Sequence, residues 1–211
     1  MNNKKKSDYL LKAILLSIAL IPLIYFNQIK DVPLKAFIFG TGSWGIGLIF
    51  KMLSHQLIVI QLQNKGISKL LYSSINGFLS GFFELFAAYL IIILMKEKFA
   101  FDFNAIISFG MAIGSFETII VVFSKKNDLL KGTAIEKHSE KLVEYLKSVQ
   151  GVNYYILNLF LPIIERIMAT LLHISTRGLV FLTIIIGSIY PIIIALLFLL
   201  LLTDYWVFIT I

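Results

Sequence analysis

The chain has 211 residues, of which 58% are hydrophobic and 15% charged, and it contains no cysteine. A soluble domain carries about 25% charged residues, so a water-exposed globular surface and a disordered chain are both excluded, as are disulfide scaffolds, cysteine nucleophiles and thiolate metal sites. The net charge of +7 does not come from one basic stripe of the kind nucleic-acid binding uses, because the lysines sit between apolar runs where membrane topology accounts for them.

A spanning helix needs about 20 mainly apolar residues. Six stretches approach that length: 9–26, 34–52, 70–95, 103–123, 158–183 and 184–203. The chain therefore reads as all-α, a polytopic membrane helical bundle of about six transmembrane helices forming one integral membrane domain over 1–211. The first stretch follows Lys4, Lys5 and Lys6 like a signal peptide. No small-x-small cleavage site follows it, so an uncleaved anchor is expected. Residues 53–62 are apolar enough to prolong the second helix or to lie along the surface. The last two helices are expected to meet in a tight turn near 187–191.

With the N-terminus inside, Lys65, Lys69 and the six lysines of 124–150 join the N-terminal lysines on the inner side. Lys30, Lys35, Lys96 and Lys98 fall outside. This bias predicts both termini in the cytoplasm, in the plasma membrane. In the polar stretch 124–150, Ile135, Leu142, Leu146 and Val149 recur at helical spacing, which predicts a cytoplasmic amphipathic helix at about 133–150 lying on membrane lipids.

Ionisable side chains inside apolar spans are costly and are functional candidates by default. Here they are Glu84, Glu117, Glu165, Arg166, His173 and Arg177. The third and fourth stretches share a pattern, G-x-x-x-G-x-F-E, at Gly77–Glu84 and Gly110–Glu117. Small residues four apart let helix backbones approach. Because the two helices run in opposite directions, the repeat would set the two carboxylates across a pseudo-two-fold axis, as in transporters. Two carboxylates in a low dielectric require a shared proton, a cation or an arginine. Each glutamate also has a plainer reading as a protonated hydrogen-bonder between helices.

His173 and Arg177 are four residues apart and share a helix face. Glu165 lies about 12 Å from His173 along the axis at 1.5 Å per residue, so those two cannot share a metal ion. Glu165 and Arg166 read as a structural pair near the inner boundary. His173 reads either as a site residue or as a neutral interhelical hydrogen-bonder, and Arg177 either as a site residue or as a side chain snorkelling to the outer interface. His55 reads as interfacial. The G-x-G-x-x-G at Gly40–Gly45 lies in an apolar span with no preceding strand, so it signals helix packing or a bend instead of a dinucleotide site.

The glycine-rich segment ending in Phe116-Glu117, followed by Glu165-Arg166 and a mid-helix His173, resembles the YhfC family of intramembrane metalloproteases, related to the PrsW and CAAX-protease/bacteriocin-processing group. The likeness runs from about 77 to 180. It implies an intramembrane peptidase acting on a membrane-embedded peptide or protein, with Glu84, Glu117 and His173 catalytic. Glu84 would be the general base. Glu117 and His173 would bind zinc or another divalent metal, or position water, and Glu165, Arg166 and Arg177 would support them. Leu85 and Ala88 stand where that group carries a second glutamate and an arginine, Ile113 replaces a phenylalanine, and Arg177 replaces a small or acidic residue. These departures leave two alternatives: a catalytically inactive relative that binds a membrane peptide, as an immunity protein would, and a proton- or cation-coupled transporter.

Overall fold

The computed structural model describes residues 3–29, 32–96, 102–123 and 154–210, and the side chains of most of these. In chain order the helices are α1 (Asn3–Ile29), α2 (Val32–Ser54), α3 (Ile60–Asn64), α4 (Lys69–Met95), α5 (Phe103–Phe123), α6 (Tyr154–Ile186) and α7 (Tyr190–Thr210). There is no strand among the described residues, and the fold is an all-α bundle. Five helical segments are long and apolar enough to cross a membrane, and α7 contributes a shorter apolar run at Tyr190–Leu200. The predicted amphipathic helix at 133–150 lies outside the described residues.

Polar residues mark the helix ends. The Ser68 hydroxyl accepts a hydrogen bond from the Leu71 amide at the start of α4, and the Asp102 carboxylate accepts one from the Ala105 amide at the start of α5. Helix α6 stops at Gly187, whose φ of +68° is left-handed and open to glycine at little cost. Pro191 then falls in the first turn of α7, where its missing N–H leaves no gap. The turn lies where expected, but α6 continues to Ile186 instead of ending at 183, and α7 begins at Tyr190 instead of 184. The apolar pattern alone does not distinguish the end of one buried helix from the start of the next; the glycine does.

After Ser54 the second helix continues through a π-helical turn, His55–Val59, into α3. Residues 53–62 thus prolong α2, one of the two expected arrangements. His55 Nδ1 lies 3.3 Å from Asn76 Oδ1, which ties this turn to α4.

Helix α5 is the centre of the bundle. Half of its span is buried, against 12–28% of the others. It packs on α1, α2 and α6, while α4 packs on α2, α6 and α7. Ala36, Leu85, Ala88, Ile92, Phe109, Ile113 and Val180 form the main core. The small residues of α5 explain the close packing. A Cβ at Gly110 would collide with the Ile174 backbone of α6, and one at Gly114 with Thr170. On α2, Gly40 abuts the Phe109 backbone and Gly47 lies against the backbone of Glu84. The packing reading of the glycine-rich run in α2 therefore holds at Gly40 and Gly47. Gly42 and Gly45 have nothing within 4 Å of an added Cβ.

Candidate functional site

Helix α6 gathers the charges. Gly110 and Gly114 bring α5 against it, and Gly47 brings α2 against α4, so that polar side chains of four helices meet in the middle of the bundle. The long axes of α5 and α6 run antiparallel. Contact therefore proceeds from Gly110 beside Ile174 to Gly114 beside Thr170, with Glu117 following on the same face of α5.

Glu117 is the most connected of these groups. Its Oε2 lies 3.1 Å from His173 Nε2 and 3.7 Å from Arg166 NH1. Its Oε1 accepts a hydrogen bond of 3.3 Å from the indole Nε1–H of Trp44 on α2. The Glu117 side chain keeps 26% of its surface exposed, while that of His173 keeps 7%. Arg166 also donates to Glu165 at 2.6 Å. The expected Glu165–Arg166 pair is thus present, and Arg166 reaches across to Glu117 as well.

Glu84 faces a different partner. Its Oε2 accepts from Arg177 NH2 at 3.2 Å. Arg177 is 1% exposed and also donates through NH1 to Thr176 Oγ1 at 2.9 Å. The snorkelling alternative for Arg177 is overturned, because the guanidinium is turned into the bundle and paired. Both glutamates thus meet cationic or imidazole groups of α6 at positions four residues apart, about 6 Å along the helix. Among the described residues, the buried polar side-chain atoms without a hydrogen-bond partner are His173 Nδ1 and Arg177 Nε, on that same face.

The repeated G-x-x-x-G-x-F-E pattern does not act symmetrically. Gly110 and Gly114 take the backbone and Thr170 side chain of α6, whereas Gly81 meets the side chains of Leu196 and Leu199 on α7 at ordinary contact distance. Helix α2 packs on both α4 and α5. The two carboxylates are related through α6 and not through direct pairing of the helices that carry them. Small-residue spacing encodes the ability to pack closely and leaves the neighbour unspecified.

Trp44 escaped the sequence analysis. Its signal was there: a single large aromatic in the stretch that carries Gly40, Gly42, Gly45 and Gly47. A buried or half-buried indole N–H needs an acceptor, and the available acceptor is a carboxylate 73 positions away.

The donor set bears on the implied metal. Glu117 and His173 supply two of the four ligands that zinc takes in tetrahedral sites. The carboxylate oxygen facing His173 also faces a guanidinium, and no three His, Cys, Asp or Glu side chains converge among the described residues. This arrangement does not fit a zinc site. It is a carboxylate–imidazole pair oriented by an indole and a guanidinium, a set able to bind water and to move a proton between oxygen and nitrogen.

Comparison of the chain with protein-family models, with curated proteins and with solved structures finds no match.

Proposed function

We propose that this integral membrane protein is an intramembrane peptidase that hydrolyses a membrane-embedded peptide or protein, with Glu117 and His173 as its working pair. The supporting observation is their 3.1 Å contact combined with the quarter exposure of the Glu117 carboxylate. The resemblance assigned the base to Glu84, but Glu84 is held by Arg177, and Glu117 is better placed for that role. Glu117 takes the proton of a bound water as its oxygen adds to the scissile carbonyl. That proton passes from Glu117 to His173 Nε2, and the resulting imidazolium delivers it to the departing amine as the C–N bond breaks, which returns both groups to their starting states. Trp44 and Arg166 hold the carboxylate in position. The lysine distribution supports an orientation with both termini in the cytoplasm, and a plasma-membrane location.

A second reading is a non-catalytic relative that binds a membrane peptide. It is favoured by the Glu84–Arg177 pair, in which the wholly buried guanidinium gives the contact a structural character.

The test uses the full chain in liposomes with a panel of quenched-fluorescent peptides, each carrying one transmembrane segment, and mass spectrometry of the products. Peptide fragments from the wild type, reduced at least about 100-fold in Glu117→Gln and His173→Phe, are expected for loss of a general base or acid. Intact peptides that crosslink to the wild type without being cut would establish the binding reading and remove the peptidase one. Equal cleavage by the wild type and Glu117→Gln would remove the assigned pair.

A further inference from the structure

A cavity of about 610 Å³ lies between α4 and the α6–α7 turn. At its deep end α7 closes on α4, with Leu196 and Leu199 resting over Gly81. From there it runs toward Lys96, Ser188 and Ile189 at one membrane boundary, since the apolar spans end at Met95 and Ile186. From Phe82 to Lys96 this is 14 residues of helix, or roughly 21 Å. One wall is an aromatic ladder in which Phe82 and Phe86 stack at 5.8 Å between ring centroids, nearly parallel, and are 41% and 39% exposed.

We propose that this groove is a binding site for one acyl chain of an anionic phospholipid, with the phosphate at Lys96. Three observations support this occupant. The volume holds about 20 non-hydrogen groups at ~30 Å³ each, which is one acyl chain with its ester and not two. The walls are mainly apolar, and the Thr183 hydroxyl already donates to the Leu179 carbonyl at 3.0 Å. A peptide backbone laid there would leave its own N–H and C=O groups unsatisfied, whereas a hydrocarbon chain asks for no partners. Among the described residues the one charged side chain lining the groove, Lys96, stands at its mouth at headgroup depth and is exposed, where an ammonium attracts a lipid phosphate that carries net negative charge. The site lies outside the Glu117–His173 pair, and the inference does not rest on the peptidase reading.

Native mass spectrometry of the purified full chain, titrated with phosphatidylglycerol and with phosphatidylcholine of identical chains, tests it. One phosphatidylglycerol is expected to bind about fivefold more tightly than phosphatidylcholine, the preference one interfacial lysine supplies. Lys96→Gln should erase that preference. Ile193→Trp, which fills the groove from an exposed position on α7, should abolish retention of both lipids. Both substitutions replace exposed side chains, so the variants are expected to fold. Equal retention of the two lipids by the wild type, or no retention at all, would overturn the proposal. So would phosphatidylglycerol binding that persists undiminished in Ile193→Trp, because the lipid would then sit elsewhere.

Discussion

Arg177 shows what a single charge requires in the middle of a bundle. Its guanidinium is almost wholly buried and faces Glu84 at 3.2 Å. Removing one member of a buried pair strands the other, at a cost of about 3–5 kcal/mol, while replacing both by apolar groups is close to neutral. Arg177→Met and Glu84→Leu are therefore each expected to lower stability by about 3 kcal/mol, and Glu84→Leu/Arg177→Met by much less. Unfolding of the three variants in detergent micelles would show this; a double variant as damaged as the sum of its singles would mean that the contact carries no coupling. The ionisable residues themselves were legible in the sequence, because charge inside an apolar span is rare. Their pairing was not. Glu84 was expected beside Glu117 and His173, and its partner proved to be Arg177, one turn further along α6. Helical spacing places residues on a face but does not say which side chain of a neighbouring helix stands opposite.

Glycines decide the approach of one helix to another. Those of α5 hold it against α6, so any Cβ there must push the helices apart. Gly110→Ala and Gly114→Ala are each expected to cost about 1–3 kcal/mol, as overpacking does. Both should also weaken the Glu117–His173 contact. Gly42→Ala and Gly45→Ala should be neutral or slightly stabilising, since an added Cβ meets nothing and alanine favours the helix. Thermal unfolding of the four variants would separate the two groups; uniform effects would show that the glycines of α5 are not contact-limiting. The four glycines of α2 look alike in the sequence. Only Gly40 and Gly47 on α2 turn toward neighbours, which the seven-residue interval between them, two helical turns, anticipates once the buried face is known. The ends of α4 and α5 fell close to those of their apolar runs, 70–95 and 103–123, because polar residues bound those runs. The boundary between α6 and α7 was misplaced, because apolar composition continues through it.

At the scale of the molecule, the class of fold followed from composition and the length of the apolar runs, because lipid allows few alternatives to closed helical hydrogen bonding. Orientation rests on the lysines. A chain without cysteine is well suited to testing it. Ile189→Cys, in the α6–α7 turn, is expected to react with a membrane-impermeant maleimide in intact cells, and Lys65→Cys only after permeabilisation. The reverse pattern would invert the bundle.

The convergence of both carboxylates on α6 also has a consequence for how the protein is made. Glu84 and Glu117 leave the ribosome 93 and 56 positions ahead of Arg177 and His173, respectively. For that interval α4 and α5 reach the translocon with acidic groups whose guanidinium and imidazole partners have not been synthesised. A carboxylate in hydrocarbon is expensive, so each of these helices carries an uncompensated acidic group until α6 arrives, and the arrival of α6 relieves both at once.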